Sequence, residues 1–170
     1  MKLENNELRN LFNAYRAYYE ALDSISPDTR KPNFPEVISQ NLVGRIIEMN
    51  GDREVDYQPS SGDLMTGDQK VEVKAFISDG PTTFGPKEAW NEIYFFDARD
   101  FVNEQFLCYK VSFSHTDGRW KSIKMNKKQT YGDQAGQKRR PRMVFASLQA
   151  QLGALMELIW EGELSELLSP

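Results

Sequence analysis

The chain has a single cysteine, Cys108, and a single histidine, His115, among 170 residues. One cysteine excludes an internal disulfide and a cysteine-rich zinc site. One histidine excludes His-based metal clusters and argues against a His-dependent catalytic triad. No apolar run approaches the ~20 residues of a membrane span. The start, Met1-Lys2-Leu3-Glu4-Asn5, has no apolar signal-peptide region. Internal repeats, low-complexity tracts and a glycine-rich phosphate loop for nucleotides are also absent. What is present is the composition of a folded protein, with 39% hydrophobic and 12% aromatic residues. A chain of this length predicts one domain over residues 1–170, with a core of its own and a cytoplasmic location.

Charge is unevenly placed. The net charge is −4, yet the window 119–142 holds nine basic residues and one acid, Asp133, for a local balance of +8. The remainder holds 12 basic and 24 acidic residues, a balance of −12. A solvated loop is the bland explanation of such a segment. Beside a site that handles phosphate, the asymmetry points to nucleic acid.

Such a site is suggested by residues 61–76. Lys70 to Phe76 alternates polar and apolar side chains, the pattern of a strand. Val71 and Val73 then face a core, while Glu72 and Lys74 share the opposite face. Thr66-Gly67-Asp68-Gln69 reads as a tight hairpin turn centred on Gly67-Asp68. That register sets Asp63 directly opposite Glu72. Like charges so placed repel, unless a cation lies between them or one is protonated. Two carboxylates around a hard divalent ion, with a lysine beside them, make a site for metal-assisted phosphate-ester hydrolysis.

Asp63 followed by Glu72-Val73-Lys74 resembles the PD-(D/E)xK nuclease motif, with Gly62 where the motif's name has proline. Gly62-Asp63-Leu64 and Lys74-Ala75-Phe76 are similar to the same region of small type II restriction endonucleases. The resemblance covers Phe34 to Trp90 and extends more loosely to Arg142. It implies Mg2+ held by Asp63, Glu72 and the main-chain carbonyl of Val73, with Lys74 orienting and helping to deprotonate the attacking water. Phe34-Pro35-Glu36 looks like the preceding-helix glutamate that often supports such a site, although an acid in a first helical turn also favours the helix dipole. The Gly80-Pro81-Thr82-Thr83-Phe84-Gly85-Pro86 run reads as an irregular loop and is similar to the post-motif segment of some restriction endonucleases, which makes Thr82, Thr83 and Lys87 candidate DNA contacts; a rigid connector is the alternative. The implied function is Mg2+-dependent double-strand cleavage of DNA at a short specific sequence, by a homodimer, with a companion DNA methyltransferase acting on the same site. The short enzymes that cut interrupted GC-rich sites are the subclass suggested, on no residue in particular.

The rest of the chain predicts an α/β fold: a central mixed sheet of about five strands flanked by helices. Leu8, Leu11, Phe12, Tyr15, Tyr18, Tyr19, Leu22 and Ile25 recur at helical spacing over residues 5–24. Pro35 opens a second helix with Val37, Ile38, Leu42, Val43, Ile46 and Ile47 on its apolar face, closing a helical region over residues 5–49. Residues 53–125 are read as the catalytic sheet, with strands at 53–58, 70–76, 93–96 and 105–114. A hairpin turn at Asp117-Gly118 leads on to residues 120–125. Cys108 is read as a small buried residue and His115 as a turn or surface residue. Residues 143–160 read as the strongest helix, followed by a helical tail at 163–168. Within the basic segment 119–142, Lys127, Lys128, Gln129, Lys138, Arg139, Arg140 and Arg142 are the candidate DNA contacts. Lysine there would hold phosphate, while Arg and Gln have the geometry to read base edges. Two other functions stay open: a structure-specific nuclease of the same superfamily, and a non-catalytic DNA-binding module with a merely structural acidic hairpin.

Overall fold

The computed structural model describes residues 1–51, 53–57, 63–85 and 88–169. Helices α1 (Asn5–Ile25) and α2 (Glu36–Met49) precede the hairpin strands β1 (Leu64–Thr66) and β2 (Gln69–Phe76). Next come β3 (Pro81–Thr83), β4 (Glu92–Asp97) and β5 (Gln105–Val111), then the short helices α3 (Gly118–Lys121) and α4 (Tyr131–Gly136). The chain continues through β6 (Arg142–Val144), α5 (Phe145–Leu152), β7 (Glu157–Glu163) and α6 (Leu164–Leu167). Five strands form the central sheet in the order β1-β2-β4-β5-β7, and β3 and β6 form a separate two-stranded ladder. Only β2 and β4 run parallel in the central sheet, so the expected mixed α/β architecture is present.

The sheet is covered on both faces. Val71 and Val73 of β2, Tyr94 and Phe96 of β4 and Phe106 and Cys108 of β5 pack with Leu8, Phe12, Ile38, Leu42 and Ile46 of the first two helices. On the other face Phe76, Ile93, Phe95 and Val111 pack with Phe84, Trp90, Trp120, Phe145 and Leu148. Burial on both faces explains why β4 reads as a continuous apolar run, Ile93-Tyr94-Phe95-Phe96, without alternation. Cys108 is fully buried, and burial pushes its thiol pKa up, which leaves it inert. Of the α1 aromatics, Tyr15 is buried, Tyr19 packs edge-on against Phe101, and Tyr18 is exposed.

Four expectations are corrected. Residues 143–160 are not one helix: β6, α5, a 3-10 turn at Gly153–Leu155 and β7 share that span. Gly153, at φ +53, ends the helix where only glycine is at ease. Leu148, Leu152, Leu155 and Ile159 keep helical spacing, but Ile159 and Trp160 sit in an edge strand paired with β5. Asp117-Gly118 makes no hairpin; the Asp117 carboxylate accepts the Arg119 N–H and caps α3, the usual use of aspartate at a helix start. The segment after β2 contains the ordered strand β3, paired with β6 through Thr82↔Met143 and Thr83↔Arg142. Residues 53–57 form only an isolated bridge, Asp56↔Met65, where a full strand was expected; Gln58 lies outside the described residues.

Candidate active site

Gly67 has a φ of +59, the positive value a two-residue hairpin turn demands. From that turn the ladder runs Thr66↔Gln69, Met65↔Lys70 and Leu64↔Val71. Asp63 is the next residue, and the same register sets it opposite Glu72. There the β1 backbone leaves the sheet and the Asp63 side chain takes its place: Oδ2 accepts the Val73 N–H at 2.7 Å. The other oxygen, Oδ1, accepts from Gln40 Nε2 of α2 at 3.1 Å. In a strand the N–H and C=O of one residue point the same way, so the Val73 carbonyl faces the side on which Asp63 stands.

Glu72 is 7% exposed, and its neighbour Lys74 places Nζ 2.5 Å from Glu72 Oε1. The same ammonium lies 3.0 Å from Glu88 Oε2 and over the Phe84 ring. Burial pushes the Glu72 pKa up to about 7; Lys74 opposes that rise, and the Asp63 charge adds to it. Asp63 is raised by burial as well, against the Val73 hydrogen bond and Lys74, with Glu36 and Glu88 adding repulsion. Burial alone would lower Lys74, yet the charges of Glu72 and Glu88 outweigh it and hold the ammonium above the ordinary lysine range. Lysine therefore stays charged in a pocket that resists ionising its acids.

These groups line a cleft of about 1290 Å3. It takes in Asp63, Glu72, Val73, Lys74, Glu36, Thr82, Thr83, Arg140 and Arg142 from among the residues expected from sequence. Lys127, Lys128, Gln129, Lys138 and Arg139 do not line it. Lys127 and Lys128 stand exposed on a turn where the Met125 N–H is bonded to the Gln129 carbonyl. Lys138 and Arg139 follow α4, also exposed. Lys87 lies outside the described residues. The β3–β6 ladder explains why residues about sixty positions apart meet here, since Thr83 and Arg142 are register partners.

Four residues at the cleft were not legible beforehand. Arg30 and Lys31 line the cleft from the α1–α2 connection, far from the basic segment. Gln40 was hidden in a helix read only for its apolar face, although its spacing of four from Glu36 puts both on one side of α2. Glu88 sat in a loop that offers no periodicity. His115 is half-buried beside Trp90, bonding its backbone through Nδ1, and does not line the cleft.

Among the described residues no cluster of three or more His, Cys, Asp or Glu has the spacing to hold a metal ion. The donors expected from sequence are the Asp63 and Glu72 carboxylates and the Val73 main-chain carbonyl, all hard oxygens, with the carboxylates of Glu36 and Glu88 in the same cleft. That set fits Mg2+, which keeps several of its waters and binds through one or two carboxylates. It lacks the cysteine and histidine ligands that structural zinc sites are built from.

A family model for the Bsp6I restriction endonuclease matches residues 3–151. The chain belongs to the Bsp6I restriction endonuclease family. It is 31% identical over 147 residues to the type II restriction enzyme Bsp6I of Bacillus sp. (strain RFL6), covering 84% of this chain and 80% of that enzyme. No solved structure matches. The likeness to small type II restriction endonucleases expected from residues 34–90 is thus shown, and family membership extends it through α5. The β1–β2 hairpin, the β3–β6 ladder and the basic segment all fall inside the matched span, so the whole cleft of this Bsp6I-family chain is family sequence. Among the described residues no helix is long and apolar enough to cross a membrane.

Proposed function

We propose that the chain is a type II restriction endonuclease that makes Mg2+-dependent double-strand cuts in DNA at a short specific sequence. The supporting observation is the convergence of Asp63, Glu72 and Lys74 on the floor of one cleft whose rim carries Arg140 and Arg142. A basic rim holds a polyanion over an acidic floor that alone would repel it.

Asp63, Glu72 and the Val73 carbonyl would hold the ion, which supplies Lewis-acid stabilisation of the phosphoryl charge and a more acidic water. Lys74 orients the attacking water and balances charge as it builds on the non-bridging oxygens. Val73 fixes Asp63 through its N–H and Gln40 fixes the second oxygen, so the carboxylate is placed before substrate arrives. Thr82 and Thr83 border the same cleft and would contact the duplex, with Arg142 beside them able to present a bidentate fork to guanine. Glu36 lines the cleft close enough for its charge to act on Asp63, a place from which it supports the ion.

One such site breaks one strand, so cutting both strands of a symmetric sequence calls for two copies about a two-fold axis. A companion methyltransferase modifying the same sequence would protect the host's own DNA. The deciding experiment is digestion of phage and plasmid DNA with Mg2+. Discrete, reproducible fragments support the proposal. Cutting confined to branched or mismatched DNA would instead indicate a structure-specific nuclease, and binding without cutting a DNA-binding module.

A further inference from the structure

Lys74 sits in a cage of three side chains, and two of them come from one short segment. Glu72, on its own strand, holds Nζ from one side at 2.5 Å. Glu88 holds it from another at 3.0 Å, and Phe84 presents its ring face with the centroid 5.6 Å away. Phe84 directly follows β3, and Glu88 lies four residues further on. Glu88 is half-buried, its N–H bonded to the Gly85 carbonyl. The Phe84 N–H is bonded in turn to the Pro141 carbonyl, one residue from the β6 strand that carries Arg142. A single connected unit therefore runs from the rim of the cleft to the ammonium on its floor.

Glu72 cannot hold Lys74 alone once its carboxylate is engaged elsewhere. On the reading of the site as a Mg2+-dependent nuclease, Glu72 is a ligand, and the lysine then needs a second acceptor to keep it from swinging out. We propose that Glu88 is that acceptor: a positioning residue that holds the Lys74 ammonium at the attacking-water position and ties it to the DNA-contacting β3–β6 unit.

Gly85 offers an independent handle. A Cβ at Gly85 would lie 2.8 Å from Glu88 Oε1 and 3.2 Å from its Cδ, so Gly85→Ala pushes the carboxylate aside without deleting it. The obstructing atoms are the far end of a flexible side chain. Glu88 also borders a separate cavity of about 380 Å3, which gives the displaced carboxylate somewhere to go.

The test compares wild type with Glu88→Ala, Glu88→Gln and Gly85→Ala in single-turnover cleavage with Mg2+, in DNA binding with Ca2+ as a non-cleaving probe, and in thermal unfolding. Glu88→Ala should slow single-turnover cleavage by about ten- to a hundredfold, the usual effect of misplacing a reacting group by an ångström. DNA affinity should stay within about twofold. Glu88→Gln, which keeps an oxygen acceptor for the ammonium, should recover part of the rate, and Gly85→Ala should fall between the extremes. A wild-type rate in Glu88→Ala overturns the proposal. So does a loss of rate matched by equal losses of affinity or unfolding temperature, or a Glu88→Gln as slow as Glu88→Ala. Lys74→Ala run alongside separates the two levels: if it still cuts, the reading of the site itself fails, whereas a dead Lys74→Ala beside a fully active Glu88→Ala removes only the role of Glu88.

Discussion

Asp63 Oδ2 accepts the Val73 N–H at 2.7 Å, so a side-chain carboxylate continues a ladder that the β1 backbone has already left. The acid is therefore part of the sheet's hydrogen bonding as well as part of the site. An uncapped Val73 N–H at a half-buried strand would cost about 1–3 kcal/mol.

That double role predicts different outcomes for two substitutions. Asp63→Asn keeps an oxygen that can accept from Val73, so it should lose cleavage by at least about a hundredfold while folding normally. Asp63→Ala should lose cleavage and also about 1–3 kcal/mol of stability. Lys74→Ala should abolish cleavage and leave specific DNA binding largely intact. Cleavage assays, gel-shift titrations with Ca2+ and thermal denaturation check all three variants.

Glu72 predicts a pH dependence of stability in the metal-free protein. Its pKa rises on folding from an ordinary 4.5 to about 7 because it is buried. Between those values the folded state holds the proton more tightly than the unfolded chain, so this group makes stability fall as pH rises through that window. The penalty is absent below about 4.5 and fully present above about 7. Glu72→Gln should gain stability over wild type progressively across that range in EDTA and hold a constant advantage above it. Denaturant titrations at half-unit pH steps would measure the difference, and an advantage independent of pH would contradict it.

The basic segment should divide by position. Lys127→Ala and Lys128→Ala, on an exposed turn away from the cleft, should weaken binding to every sequence alike and lower the salt slope by about one unit each. Arg142→Ala or Arg140→Ala, at the cleft, should cost roughly 1–3 kcal/mol on the cognate site with little change on other DNA. Binding isotherms at several salt concentrations, on cognate and scrambled duplexes, separate the two behaviours.

Lys138 has a φ of +57. It stands just past α4, where its N–H meets the Ala135 carbonyl and the Arg139 N–H meets the Gln134 carbonyl, the paired bonds of a Schellman terminus. Glycine suits that position better. Lys138→Gly should raise stability by roughly 0.5–1 kcal/mol while reducing DNA affinity if the lysine faces phosphate. Opposite signs in melting temperature and affinity are the expected result.

The β1–β2 hairpin was legible in the sequence because its register follows from Gly67-Asp68 and its faces from strict alternation at Lys70 to Phe76. The placement of Asp63, Glu72 and Lys74 on one face needed nothing more than those two rules, while the roles proposed for them rest on the likeness to a nuclease motif. The C-terminal third was harder. Leu148, Leu152, Leu155 and Ile159 satisfy helical spacing, yet one glycine with positive φ divides them between a helix and a strand. Arg140 and Arg142 could be suspected from charge, but their place beside Thr82 and Thr83 depends on a ladder between strands of three residues each, too short to announce themselves. Glu88 and Gln40 act through contacts made by loop and helix packing, which no local pattern records.

The order of the sheet bears on how the protein is made. All the acids of the floor, and Lys74, lie before residue 90, and a ribosome delivers them first. The frame closes last: β7 covers the outer edge of β5, the Leu164 N–H bonds the Glu104 carbonyl, and the carbonyls of Leu167 and Leu168 receive Arg45 and Asn5 from the other end of the chain. A nascent chain therefore carries every group proposed for catalysis well before it has a sheet able to hold them. For an enzyme that cuts DNA, this delays the hazard until synthesis reaches the final strand.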